Sequence, residues 1–282
     1  MKQSETLARR GTSTRTARAA TVVVVSLGAL LASTVPAGAS TADSGSHRTV
    51  TSASGRQAYV VKGKVTTVGG KPIKGAKIVV DDTLHWDSNL VAMTNKQGTY
   101  RVGLPHKAGT WKASGYLSKR YHGRNYQLSL WPSSLAPFEA KKGAVRDFKW
   151  KLTGKRKGEE GRYYGGIVSH YLWSDNAPDD EWLDNRNVRL TLKPVTKLID
   201  GSTGKTISNR KAVWVDPYGW STVDVPVGRY KITAKYVVPG KPDRDLLVKE
   251  TGAESFATSV TSDFFQDVTS QRIRLDVMFP AS

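Results

Sequence analysis

Cysteine is absent from this sequence of 282 residues. Without thiols the chain cannot form disulfide bonds, bind zinc through thiolates or use a cysteine nucleophile. Any folded domain must therefore be held together by its own buried apolar surface.

Long apolar runs are scarce as well. The run TVVVVSLGALLA is shorter than the roughly 20 apolar residues of a membrane span. It follows a basic leader and precedes Ala37-Gly38-Ala39, which together predict a signal peptide over residues 1–39 that is cleaved after Ala39. The sequence therefore predicts an extracellular, secreted protein with no stable membrane insertion after cleavage. An uncleaved anchor is the alternative, and Arg9-Arg10 leaves the export route, general or twin-arginine, open.

Acidic residues are few relative to basic ones. The chain has 43 Lys and Arg against 24 Asp and Glu, a formal charge of +19. Removal of residues 1–39 leaves +15, because this leader carries five basic residues and one acidic residue. Such a charge attracts anionic polymers, although repulsion that keeps the protein soluble explains it equally well. No nucleic-acid-binding motif accompanies the charge, so no specific nucleic-acid partner is predicted.

Helical periodicity is missing after the leader. Residues 40–57 are small and polar, which predicts a flexible lead-in. From Tyr59 onward, apolar and polar residues alternate with period two between turns rich in Gly, Pro, Asn and Asp. This pattern predicts an all-β fold.

A repeat divides the rest of the chain. TNKQGTYRVGLPHKAGTWKAS and VDPYGWSTVDVPVGRYKITA each contain a turn glycine, an alternating strand, a turn at Pro and Gly, and a strand with an early aromatic residue. The turn glycines are Gly98 and Gly219, for which we expect positive φ. The aromatic residues are Trp111 and Tyr230, which are predicted to lie in the core.

The two copies define two units. Within the second copy, Val223 and Val225 are expected to share one face of their strand. A charged, Gly-rich segment, TGKRKGEEGR, separates the copies. We therefore predict a first module at 58–153, a linker at 154–162 and a second module at 163–282 that is a divergent repeat of the first.

The first module resembles a known family. Its segments VKGKVTTVGGKPIKGAKIVV, TNKQGTYRVGLP and GTWKAS are similar to the carboxypeptidase regulatory-like domain, on residues such as Gly63, Pro72 and Tyr100 within 58–114. The resemblance implies a transthyretin-like (prealbumin-like), or Ig-like, Greek-key β-sandwich. The predicted fold class is thus all-β with two tandem β-sandwich modules, and membership of the second module in the same family is open. Such modules accompany enzymes, adhesins and receptors alike, so the resemblance implies no function.

Residue patterns for catalysis are lacking. The chain has five histidines: His47, His85, His106, His122 and His170. None is followed by a carboxylate three residues later, as a zinc peptidase needs, and no Gly-x-Ser-x-Gly elbow occurs. The acidic stretch at 175–184 is interpreted as a solvated loop and not as a calcium loop. The sequence therefore predicts no enzyme, no cofactor and no metal site, with an unrecognised hydrolase as the least favoured alternative.

Tryptophans in predicted loops are the candidate ligand-binding residues. They are Trp86, Trp131, Trp173 and Trp182, with Asp87 beside the first. Exposed aromatic rings can stack on sugars while nearby carboxylates accept hydrogen bonds from hydroxyls. The sequence therefore predicts a secreted, non-catalytic protein that binds an extracellular polysaccharide or an anionic cell-wall polymer. A structural or protein–protein interaction module with an extracellular protein partner is the alternative.

Overall fold

The computed structural model describes residues 55–85, 88–177, 182–268 and 270–281. The predicted signal peptide and most of the predicted lead-in lie outside these residues. The described residues belong to one compact unit, Ser52–Ser282. They contain strands and two 3-10 turns, Ala140–Lys142 and Asn185–Asn187, and no helix among them is long and apolar enough to span a bilayer. The predicted all-β class is confirmed.

Ten strands lie in the first half of the described chain. They are β1 (Val60–Thr67), β2 (Lys77–Asp82), β3 (Asn89–Met93), β4 (Thr99–Gly103), β5 (Thr110–Tyr121), β6 (Arg124–Ser129), β7 (Trp131–Pro132), β8 (Phe138–Glu139), β9 (Ala144–Val145) and β10 (Phe148–Trp150). They form two five-stranded sheets: β4-β1-β10-β7 with β9 beside β1, and β3-β2-β5-β6 with β8 beside β5. β1 pairs antiparallel with β4 and parallel with β10.

These two sheets bury one face each against a shared core. Val61 and Val65 on β1 and Ile78 on β2 are fully buried, as period-two alternation predicts. A Cβ added at Gly115 of β5 would lie 3.1 Å from the Phe148 ring and 3.2 Å from Ile78. Because Phe148 and Ile78 belong to different sheets, this close approach shows that the sheets pack face to face as a β-sandwich.

Nine strands lie in the second half. They are β11 (Gly166–Leu172), β12 (Val188–Pro194), β13 (Val213–Val215), β14 (Gly219–Val225), β15 (Arg229–Tyr236), β16 (Arg244–Glu250), β17 (Val260–Asp263), β18 (Phe265–Gln266) and β19 (Gln271–Met278). Their order is β12-β15-β16-β19-β11-β14-β13, with β17 beside β15 and β18 beside β19. Residues 244–246 of β16 pair with β15, whereas residues 247–250 pair with β19. A strand that changes partner in this way turns a corner between the two layers of a sandwich.

The repeat's turn glycines and aromatic residues have the conformations and burial that the sequence predicts. Gly98 and Gly219 have φ of +71° and +75°, which confirms their predicted turn conformation. Trp111 and Tyr230 are buried, which confirms that they are core residues. Tyr230 packs edge to face on Phe264, with ring centroids 6.2 Å apart.

The expected shared face of Val223 and Val225 is wrong. Val225 is fully buried, whereas Val223 is only half-buried. Between them Asp224 adopts a φ of +58°, and the register of β11 against β14 shifts in the same region. The irregularity breaks the period-two alternation on which the expectation rested.

The segment predicted as a linker folds back on itself. Lys155 forms an isolated bridge with Tyr163, and the carboxylate of Asp224 accepts the N–H groups of Gly154 at 2.8 Å and Gly165 at 3.2 Å. These two hydrogen bonds hold both ends of the segment against Asp224, whose backbone is left-handed. The division of the chain into modules at 154–162 stays a prediction.

The two halves contact each other through β6 and β18. The Tyr126 hydroxyl donates to the Phe264 carbonyl at 2.5 Å, and the Gln127 N–H donates to Gln266 Oε1 at 2.9 Å. The side chain of Gln271 donates back to the Gln127 carbonyl at 2.9 Å. The first half therefore braces β18 and the start of β19.

Candidate functional site

One side of the nine-stranded sheet carries polar and aromatic side chains. On β11 and β19 the core side is occupied by Val168, Leu172, Ile273 and Val277, all buried. The residues between them therefore point to the opposite side. We call this side the outer face, and its principal residues are Ser169, Tyr171, Trp173, Lys249, Arg272, Arg274 and Asp276.

The strand register arranges these residues in rows. Asp276 of β19 lies opposite Tyr171 on one neighbouring strand and opposite Lys249 on the other. Arg274 lies opposite Ser169 in the next row. Residues opposite each other in a ladder have adjacent side chains on the same face. Aromatic, acidic and basic groups thus meet on a surface built from three strands.

Aromatic rings form one border of the outer face. Tyr171 is 63% exposed and its ring meets Trp173 edge to face, with centroids 6.2 Å apart. Trp173 in turn meets Phe256 at 6.2 Å. The Lys249 ammonium lies 4.5 Å from the Phe256 centroid and 5.5 Å from the Trp173 centroid. This cation–π contact holds a positive charge beside the exposed rings.

Asp276 supplies a buried carboxylate to the middle of the outer face. Only 8% of the residue is exposed, and its Oδ1 accepts a hydrogen bond from the Thr251 hydroxyl at 2.9 Å. No other described group donates to this carboxylate. It therefore has acceptor capacity left for a ligand hydroxyl.

The side chain of Arg272 is fixed by contacts with its neighbours. Its guanidinium bonds to the Asp267 carboxylate at 3.0 Å and stacks 3.8 Å above the Tyr218 ring. The hydrogen bonds from Arg272 and from the Val268 N–H hold the pKa of Asp267 below its usual value. Arg272 also reaches Ser169 Oγ at 3.4 Å. It is therefore a structural cation that fastens the Tyr218 ring over the sheet.

Arg274 has a different environment. It is exposed, and its guanidinium lies 5.5 Å from the Phe265 ring centroid. Among the residues that the structure describes, no carboxylate lies within ion-pair distance of it. Its charge is therefore available to a ligand.

A cleft of about 500 Å³ lies on this side of the sheet. It is lined by Ser169, His170, Tyr171, Asn185, Trp214, Tyr218, Gly219, Trp220, Thr251, Arg272, Arg274, Leu275 and Asp276. Trp214 is exposed and meets Trp220 edge to face, with centroids 5.7 Å apart. The cleft thus combines aromatic walls with two arginines and one carboxylate, a composition typical of polar ligand sites.

His170 is a buried titratable group beside the cleft, on the core side of β11 with Val168 and Leu172. Its Nε2 lies 3.1 Å from the Asn185 carbonyl, so Nε2 carries the hydrogen and donates. Its Nδ1 is buried without a partner among the described residues. Burial lowers the pKa of His170 to about 4, and the nearby positive charge of Arg189 adds to this effect. The imidazole is therefore neutral at physiological pH.

The three predicted tryptophans that the structure describes do not form one surface. Trp86 and Asp87 lie outside the described residues. Trp182 lies in a loop, is 92% exposed and makes no ring or cation contact within the described parts of the chain. Of the predicted ligand-binding residues that the structure describes, Trp173 alone lies on the outer face.

The placement of Trp131 in a loop is wrong. Trp131 forms β7, which pairs with β10. The ammonium of Lys151 lies 3.4 Å from the Trp131 ring centroid, and that of Lys157 lies at 5.1 Å. Because the Lys151 ammonium lies directly against the ring, Trp131 is a poor stacking surface for a sugar.

Sequence reasoning missed Tyr171, Lys249, Arg274 and Asp276. One signal for them exists in the last strand, where QRIRLDVM alternates charged and apolar residues. A charge at every second position indicates a half-buried strand with a charged outer side. The pattern does not show which residues of neighbouring strands lie opposite these charges. The site therefore cannot be predicted from it.

Two polar groups considered from the sequence, Asp184 and His85, have structural partners. Asp184 accepts the Arg186 N–H at 2.8 Å and pairs with the Arg186 side chain, which together hold its pKa below the usual value. His85 lies 3.0 Å from Asp82, whose carboxylate also binds Lys107 at 2.8 Å. The hydrogen bond from Lys107 is the main reason why the pKa of Asp82 is lowered. These contacts explain both acidic residues without a ligand.

No protein-family model and no curated protein matches the chain. The resemblance to the carboxypeptidase regulatory-like domain therefore stays a prediction. Among solved structures, the chain is similar to the Bacillus anthracis TIE protein with 11% identity and a TM-score of 0.29, over 78% of this chain and 34% of that one. It thus spans about a third of that protein's length.

Two further solved structures are similar at the same low level. One is a streptococcal ancillary pilin, with 9% identity and a TM-score of 0.24 over 77% of this chain and 61% of that one. The other is a single B repeat unit of the collagen-binding surface protein of Staphylococcus aureus, with 9% identity and a TM-score of 0.20 over 79% of this chain and 100% of that one. At such scores the similarity carries no argument about ligand or partner.

Proposed function

We propose that this protein is a non-catalytic binding protein outside the cell and that its ligand, an extracellular polysaccharide, binds on the outer face. The observation that carries the proposal is the exposed pair of Tyr171 and Trp173 beside the buried carboxylate of Asp276. The C–H face of a sugar ring packs on an aromatic ring, while its hydroxyls need strong acceptors. An exposed aromatic pair and a strong acceptor are both present here, on neighbouring strands of one sheet.

The composition supports an extracellular site of action. The leader at 1–39 has the three parts of an export signal, and the remaining chain is strongly basic. A basic surface raises the local concentration of anionic polymers near the protein. Charge alone does not select one polymer, so the selectivity must come from the outer face.

A pull-down on insoluble polysaccharides and purified cell wall tests the proposal. We expect Tyr171→Ala and Trp173→Ala each to weaken binding roughly fivefold, because each removes about 1 kcal/mol of ring stacking. Trp182→Ala is the matched control and should bind like the unmodified protein. Circular dichroism spectra should show that all three variants are folded.

Two results would contradict the proposal. One is a loss of binding in Trp182→Ala with none in Tyr171→Ala. The other is complete loss of binding at high salt for the unmodified protein, because screening removes long-range charge attraction but leaves stacking intact. The second result would assign binding to net charge alone.

The edge strand β3 supports a second candidate function, protein–protein interaction. β3 pairs with β2 on one side, and no described strand pairs with its other side. It contains no charge and no proline, and Val91 and Met93 are exposed on it. Free edges of this kind accept an added strand from another chain. Wall binding that survives removal of the glycans but is lost in Val91→Lys would favour this function.

A further inference from the structure

We infer that the polysaccharide is acidic and that Arg274 binds the carboxylate of a uronic acid unit on the outer face. This inference rests on the proposed function and specifies the class of sugar. It is carried by the contrast between two arginines on one strand. Arg272 is neutralised by Asp267, whereas Arg274 is exposed and has no carboxylate partner among the described residues.

Geometry places Arg274 at the right distance from the aromatic border. Arg274 and Asp276 are two residues apart on β19, so their rows are about 7 Å apart. A six-membered sugar ring with its carboxylate substituent covers a similar length. A sugar that stacks on Tyr171 and donates a hydroxyl to Asp276 can therefore direct its carboxylate to Arg274.

The charges in neighbouring rows set the orientation of the sugar. Asp276 repels a ligand carboxylate and attracts hydroxyl donors, whereas Arg274 in the next row binds a carboxylate through two parallel N–H groups. Phe265 packs against Arg274, which limits the freedom of its long side chain before the ligand arrives. The ammonium of Lys249 lies over the rings of Trp173 and Phe256, so Lys249 is a second cation on the outer face. A repeating acidic polymer would meet both cations.

A neutral polysaccharide has no carboxylate that could form an ion pair with Arg274. It would bind through stacking and hydroxyl contacts alone, and the arginine would stay hydrated. An acidic polysaccharide adds one charge-assisted, bidentate contact that is local and survives moderate salt. Because of this difference, the acidic and neutral forms of one polysaccharide are the appropriate probes.

Binding of polygalacturonate and of its methyl ester to the protein with both halves present tests the inference. Esterification removes the charge and keeps the sugar ring. We expect polygalacturonate to bind roughly tenfold more tightly than the ester at about 0.15 M salt, which corresponds to one charge-assisted contact. Arg274→Gln should remove most of this preference, leaving the part that comes from the general basic charge and Lys249, and it should leave binding of the ester unchanged.

Lys112→Gln is the matched control, because Lys112 is an exposed strand residue of the first half and its loss lowers the net charge equally. It should keep the preference for polygalacturonate. Equal affinities for the two polymers, or equal losses in Arg274→Gln and Lys112→Gln, would overturn the inference. If the ester still binds and Tyr171→Ala weakens it, the proposed function stands without the inference. If neither polymer binds, the inference fails, and the pull-down on polysaccharides and cell wall then decides the proposed function.

Discussion

Two arginines on one strand differ in role because their neighbours differ. Arg272 is held between Asp267 and Tyr218, and it fastens the turn after β13 onto the sheet. Arg274, two residues later, is exposed and retains its donors for a ligand. Removal of Arg272 would leave Asp267 without its ion pair, whereas removal of Arg274 leaves no described carboxylate uncompensated. For this reason Arg274 is the better probe of function.

His170 makes the stability of the fold depend on pH. Its pKa in the folded protein is lowered to about 4, below its ordinary value of 6.5, so the unfolded chain binds the proton more readily than the folded one. The stabilisation is complete above pH 6.5 and declines as the pH falls towards 4. The loss amounts to about 3 kcal/mol of unfolding free energy over that range.

The substitution His170→Gln tests this dependence. Glutamine is polar but does not titrate, so the variant should lose about 3 kcal/mol less stability than the unmodified protein between about pH 7 and pH 4. Urea unfolding at several pH values measures the difference. Parallel stability curves for the two proteins would show that His170 does not contribute to the acid sensitivity.

At the scale of elements, close approach of backbones explains where glycine is required. A Cβ added at Gly63 of β1 would lie 1.9 Å from the Arg146 carbonyl oxygen. Gly63→Ala must therefore separate β1 from the segment between β9 and β10, and we expect a loss of roughly 3 kcal/mol of unfolding free energy or more. Gly103 on the neighbouring strand β4 has no atom within 4 Å of an added Cβ.

Gly103→Ala is thus the control for Gly63→Ala. Its stability in urea unfolding should lie within about 0.5 kcal/mol of that of the unmodified protein. Similar losses in both variants would mean that the contact with Arg146 does not set the cost. A stable Gly63→Ala protein would contradict the close approach itself.

The strands and turns could be predicted from the sequence because they depend on local patterns. Alternation of apolar and polar residues from Tyr59 onward predicted the all-β class, and the turn glycine before Tyr100 and the glycine that begins β14 have the expected positive φ. The irregularity at Asp224 could not be predicted, because it depends on the hydrogen bonds to Gly154 and Gly165, far away in the sequence.

The candidate site was largely hidden for a related reason. Its rows depend on which residue of β19 lies opposite Tyr171, and that residue, Asp276, is more than a hundred positions further along the chain. A one-residue shift in register would place the charges on the core side. The sequence indicated aromatic residues as candidates, but it could not show that lysines cover Trp131 while Trp173 stays partly open.

At the scale of the whole molecule, the first half supports the outer face of the second. The hydrogen bonds from Tyr126 and Gln127 reach Phe264 and Gln266, which flank the Phe265 that packs on Arg274. Displacement of the first half would therefore release the residue that orients Arg274. On this account both halves are needed for selective binding, although only the second half contacts the ligand.

Hydrogen exchange of the full-length protein with and without polygalacturonate locates the ligand-binding surface. If the outer face binds the ligand, exchange becomes slower in peptides that cover β11, β16 and β19 and stays unchanged in β2 and β3. Slower exchange confined to the first half, or tight binding with no change in β11 and β19, would contradict the assignment of the outer face as the ligand-binding surface.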